Sequence, residues 1–167
     1  MPAGRMRSLV ALLVVATLAG LAQPVSVLRV VTTEGEVLAC RAMGRDDRVT
    51  LVFTHSMYGG EVRETWRAEA GDLARVRIVA DRAAAAEYYA TDGATRPVEG
   101  GFEVVAPPLR VPELRFRVDQ IGNHRLRFGD EEIAVAENVG GSAGSTMSVA
   151  RVPLILRVID REAGCGG

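Results

Sequence analysis

Lysine is absent from this chain: its twenty basic residues are all arginine. Together with abundant alanine and glycine, this reads as the coding bias of a GC-rich genome. The arginines are dispersed, and the net charge is −1. Such a balance excludes the basic footprint that nucleic-acid binding requires. Cysteine and histidine are scarce, at two residues each. A metal centre wants three or four converging ligands, and these residues show no ligand spacing. No apolar run reaches the roughly 20 residues needed to cross a bilayer as a helix. The segment 149–159 is too short and carries Arg151, Pro153 and Arg157. No internal repeat is present.

The N-terminus reads as a targeting element. Arg5 and Arg7 precede an apolar stretch at 9–22 that is interrupted only by Thr17, and small residues at Gly20 and Ala22 suit cleavage before Gln23. Residues 1–22 are therefore a signal peptide or, if uncleaved, a membrane anchor. Either places the rest of the chain outside the cytoplasm, in the periplasm or on the outer face of the cytoplasmic membrane. Contact with the membrane is expected only through this segment. The remaining chain has room for one domain.

That remainder reads as strands: 25–31, 36–42, 48–56, 61–68, 73–80, 102–106, 113–118, 124–128, 133–136 and 149–159. Polar or glycine-rich breaks separate them. The pattern predicts an all-β fold, an antiparallel β-sandwich or open barrel of about nine or ten short strands. An N-terminal hydrophobic helix would precede it, and one short helix fits 81–90, where four successive alanines favour it. The stretch 91–101 reads as a long loop and 140–145 as a flexible linker. Residues 23–160 form the domain, and 161–167 are a disordered tail.

The most distinctive text is a strand–turn–strand over 48–66. Alternation puts Val49, Leu51, Phe53 and His55 on one face, and Val62, Glu64 and Trp66 on one face of the next strand. A four-residue loop at 57–60 would oppose His55 with Val62 and Phe53 with Glu64. His55 and Glu64 then become diagonal neighbours among apolar side chains. Neither charge is tolerable alone there, so a hydrogen-bonded pair is the natural solution. Three readings are open: a latch that fixes the hairpin register, a polar pair that binds a ligand or partner, or an acid–base pair.

Other sites are weaker. His124 and Asp119 are candidate third polar groups near His55 and Glu64. Gly140-Gly-Ser-Ala-Gly144 fits a nucleophile elbow, but lacks the strand–helix context of a large α/β domain. Cys40 follows a lipobox-like Val-Leu-Ala, but lies too far past the apolar run to be lipidated. In an oxidising compartment Cys40 and Cys165 are a candidate disulfide; otherwise they are two free thiols. Tyr58, at the hairpin tip, with Tyr88 and Tyr89, is a candidate aromatic rim for a partner.

The segment Phe53-Thr-His-Ser-Met57 followed by Val62-x-Glu-x-Trp66 resembles the exported bacterial family known as domain of unknown function 1850. Leu28-Arg-Val, Gly35-Glu-Val-Leu, residues 101–118 and His124-Arg-Leu extend the resemblance over about residues 25–136. It implies a small exported β-domain. It also implies genes near solute transporters of the tripartite periplasmic (TRAP) type, in their TAXI branch. The partner would then be the transporter's membrane subunit or solute-binding protein. The expectation is a non-enzymatic accessory or binding module with no cofactor, metal or catalytic residue. His55, Ser56, Tyr58, Glu64 and Trp66 would shape its binding surface. The alternatives are a small enzyme using His55 and Glu64, or a ligand-free structural envelope domain.

Overall fold

Strand periodicity in the sequence becomes two antiparallel sheets in the computed structural model, which describes residues 12–13, 16–17, 19–90, 93–161 and 163–165. The smaller sheet has the order β2 (Val37–Met43), β1 (Pro24–Thr32), β12 (Ser142–Pro153), β9 (Glu113–Asp119). The larger has the order β11 (Glu131–Ile133), β10 (Arg125–Phe128), β3 (Val49–Thr54), β4 (Glu61–Glu69), β5 (Asp72–Ala80), β7 (Gly101–Val105), β6 (Ala94–Val98). The two-residue strand β8 (Arg110–Val111) also pairs with β5. The expected N-terminal hydrophobic helix lies largely outside the described residues. Among the described residues, no helix is long and apolar enough to cross a membrane.

The sheets face one another as a sandwich. Leu28, Val30, Val118, Met147 and Val149 from the smaller sheet meet Val49, Leu51, Trp66, Leu73 and Leu126 from the larger. Trp66 is fully buried at the centre. A second apolar cluster forms where α1 (Ala83–Tyr89) lies on the far part of the larger sheet, with Ala85 and Ala86 against Val62, Ile78 and Val104. Small side chains let this helix approach the strands closely. A third cluster surrounds a disulfide between Cys40 and Cys165.

Among the described residues twelve strands form, two more than the ten segments read from the sequence. One is β6, inside the stretch expected to be a loop. The other is β8. Most of the expected linker at 140–145 is instead the start of β12: residues 142–145 pair with β9, and from Ser145 onward the strand also pairs with β1. The strand expected to run to residue 159 stops at Pro153. Proline has no N–H to continue the ladder, and the next amide, Leu154 N, donates to Gln23 O at 2.9 Å. The chain then turns into α2 (Leu154–Ile159). The strand expected at 133–136 ends at Ile133, and Val135–Asn138 forms a 3-10 turn. In the tail, expected to be disordered, residues 163–165 are packed: Cys165 is buried beside Val27 and Val152.

The β3–β4 register also differs from expectation. Thr54 pairs with Glu61, Phe53 with Val62, Leu51 with Glu64 and Val49 with Trp66. The connection therefore spans 55–60, two residues more than a loop at 57–60. Because the slip is even, every side chain keeps its face. On the outer face of this sheet, Arg63 pairs with Glu61 and Asp81, and Arg125 with Glu61. The dispersed arginines thus serve as cross-strand partners.

Candidate functional site

One end of the sandwich is open. There the chain leaves the smaller sheet at Asp119 and crosses to β10 through residues 120–124. The β3–β4 loop and the last turn of α1 face this crossing. Between them lies a cleft of about 420 Å³, lined by Phe53, His55, Met57, Tyr88, Tyr89, Arg117, Asp119, Ile121 and His124 among others. Thr54 N donates to Gly122 O at 2.7 Å, tying the crossing to the end of β3.

His55 organises the loop that makes one wall. Its Nδ1 accepts hydrogen bonds from the amides of Met57 and Tyr58, each at 3.2 Å. Its own backbone closes the loop, with His55 N donating to Gly60 O and Gly59 N to His55 O. Gly59 and Gly60 sit at φ +63° and +77°, a region open to glycine at little cost. An acceptor at Nδ1 fixes the proton on Nε2 in the neutral ring. The imidazole is buried, with Tyr58, Tyr88 and Tyr89 centred 5.1, 5.1 and 5.9 Å away. Ser56 is exposed beside it and lines the cleft.

The expected His55–Glu64 hydrogen bond does not form, because the register sets Glu64 opposite Leu51, while His55 lies beyond the end of β3. Glu64 lies deeper, at the seam between the two apolar clusters, opposite Leu51 and near Tyr89. Burial pushes its carboxyl above the usual carboxylate range, partly offset by the charge of Arg75 and by the Trp66 indole. That indole N–H favours the ionised carboxyl by proximity, but it does not meet hydrogen-bond geometry and has no full partner. Tyr89 joins the two polar residues: its ring touches His55 and Phe53, and its hydroxyl pKa is pushed up to about 12 by burial and by Glu64. Glu64 and Trp66 support the cleft from beneath and do not line it.

His124 forms the opposite wall. It stacks on Phe53 at 5.6 Å and lies against Phe116 at 5.9 Å. Its Nδ1 is buried without a hydrogen-bond partner. Burial holds its pKa below the ordinary histidine value, against the opposing pull of the Asp119 carbonyl and carboxylate. Asp119 Oδ1 accepts from Gly122 N at 2.6 Å. Gly122 must be small, since a Cβ there would collide with the His124 ring. His124 and Asp119 therefore join His55 at the cleft, while Glu64 stays below. Among the described residues, no group of three or more His, Cys, Asp or Glu side chains could hold a metal ion.

Sequence reading missed Arg117, Ile121 and Met57 as cleft residues. Arg117 and Asp119 share a face of β9 by alternation, which was a usable signal. Their closeness to His55 depends on the crossing between sheets, which alternation does not encode. The rim is apolar and open to solvent: Met57 is 70% exposed and Ile121 80%.

The chain belongs to the family described as Domain of unknown function (DUF1850), whose model matches residues 49–135. The matched span contains every residue that lines the cleft, together with Glu64 and Trp66. It leaves out β1, β2 and β12, and so is narrower than the resemblance read over residues 25–136. No curated protein and no solved structure matches the chain.

Proposed function

We propose that this protein is an exported, non-enzymatic accessory module of a TRAP-type solute transport system of the TAXI branch, and that its aromatic cleft docks a transporter component. The partner is the solute-binding protein or the membrane subunit. Residues 1–22 export the domain or anchor it outside the cytoplasm. The observation that carries this reading is the cleft itself. Its volume falls within the usual range of binding pockets, roughly 300–1,000 Å³. Aromatic rings line it, a few polar groups fix orientation, and exposed apolar side chains rim it. Tyrosine-rich surfaces of this kind bury large area at low entropic cost when they bind. The partner class is what the family resemblance of the sequence implies.

The test replaces two exposed tyrosines: Tyr88 lines the cleft, and Tyr58 touches Tyr88 and His55 without lining it. Tyr88 is 55% and Tyr58 38% exposed. The double variant Tyr58→Ala, Tyr88→Ala is expected to melt like the parent. In cells it should slow uptake by the neighbouring transporter and lose capture of either the solute-binding protein or the membrane subunit in a pull-down. Which one is lost identifies the partner. Unchanged uptake with unchanged capture of both components defeats the proposal.

A further inference from the structure

Far from the cleft, α2 presents aliphatic side chains to solvent. Leu156, Val158 and Ile159 are 49%, 63% and 76% exposed. The only charged residue within the helix, Arg157, turns inward: its guanidinium donates to Ala163 O and approaches Cys165 Sγ, each at 3.4 Å. The outer surface of the helix is left uncharged. Three neighbouring aliphatic side chains that the described residues leave about half or more open call for an apolar partner.

The fold shows where that partner lies. Leu154 N donates to Gln23 O, so α2 begins beside the residue at which the N-terminal apolar segment enters the domain. Leu12 and Leu13 in that segment are themselves 68% and 66% exposed. The apolar run that carries them leads into the domain at the end of the sandwich where α2 begins. The disulfide fixes the α2 side of this end: Cys165, just beyond α2, is bonded to Cys40 of β2, the strand that pairs with β1.

We infer that α2 lies on the bilayer surface while the N-terminal segment is in the membrane, and that the domain stands with its cleft pointing away. A second point of contact fixes orientation, which a single tether cannot. The direction follows from strand register. Pro153 pairs with Pro24 at the membrane end, whereas Ser142, at the other end of β12, pairs with Asp119 of the cleft. At ~3.3 Å per residue, the run from Pro153 back to Ser142 spans about 35 Å. A helix resting on a membrane sinks its apolar face about 5–10 Å into the headgroup–acyl boundary. The cleft is then beyond reach of the lipid.

Tryptophan probes test this. Full-length protein carrying Ile159→Trp or Met57→Trp is reconstituted into phosphatidylcholine vesicles with brominated acyl chains. Both positions are exposed, and buried Trp66 gives a common background. We expect Ile159→Trp to lose at least about twice the fraction of its fluorescence that Met57→Trp loses, since bromine quenches only at acyl-chain depth. Equal quenching at the two positions, or stronger quenching at Met57→Trp, overturns the inference. Either result would mean that α2 faces water or a protein.

Discussion

Glu64 and His124 are both buried and titratable, and their effects on stability run in opposite directions with pH. The folded-state pKa of Glu64 lies above its ordinary value of 4.5. The folded protein therefore keeps a proton that the unfolded chain has released. By linkage, stability falls as pH rises from about 4.5 through the folded-state pKa, and the penalty persists at neutral pH. Glu64→Gln should accordingly melt at a higher temperature than the parent at pH 7, with the gap closing below about pH 4.5. A gap that persists at low pH would mean the gain has another source. His124 has a folded-state pKa below its ordinary value of 6.5. Here the unfolded chain takes up the proton first, so stability is lost as pH falls from 6.5 toward the folded-state pKa. His124→Phe keeps the stacking on Phe53 and Phe116 and should abolish that slope, whatever its absolute stability. Thermal melts across pH 4–8 read both effects. Alternation along β4 was enough to place Glu64 inward. The helix that brings Tyr89 beside it belongs to another part of the chain, and no local pattern announces that contact.

At the scale of elements, the β3–β4 connection shows how one side chain sets a register. His55 supplies the acceptor for two loop amides, Met57 N and Tyr58 N. His55→Ala removes that acceptor and should cost about 1–3 kcal/mol. His55→Asn places Oδ1 near the site of Nδ1 and should restore most of the loss while removing the ring from the cleft. Chemical denaturation of the three proteins decides between them, and an alanine variant as stable as the parent would refute the role. The faces of these strands were legible, because inward and outward residues follow from period two alone. Their register was not, because it depends on side-chain-to-backbone bonds within the loop. Similar reasons explain the other misread elements. Residues 91–101 read as a loop, yet β6 lies within them as an edge strand, where the missing N–H of Pro97 costs little. The glycines and serines at 140–145 have low strand preference, but pairing of 142–145 with β9, joined by β1 from Ser145 onward, overrides it from residue 142.

Across the whole molecule, the two sheets are joined by crossings at 44–48, 112, 120–124 and 134–141, and the chain's last described residues are bonded back to its second strand. Pairing of the only two cysteines was open in the sequence, since nothing local decides whether residues 40 and 165 meet. The fold brings their Cα atoms to 5.5 Å across a separation of 125 residues. The bond restricts the unfolded chain more than it adds contacts to the folded one. On the chain-entropy model a loop of this size is worth about 4–5 kcal/mol. The double variant Cys40→Ala, Cys165→Ala should lose about that much in urea unfolding. Dithiothreitol should bring the parent to the same stability and leave the variant unchanged. The loss should also have a local signature. Tail and α2 are held to β2 through this bond, so proteolysis of the reduced parent should begin near residues 154–165 under conditions in which the cleft still resists. Simultaneous cleavage at both ends would show that the bond supports the entire sandwich, and that α2 has no separate dependence on it.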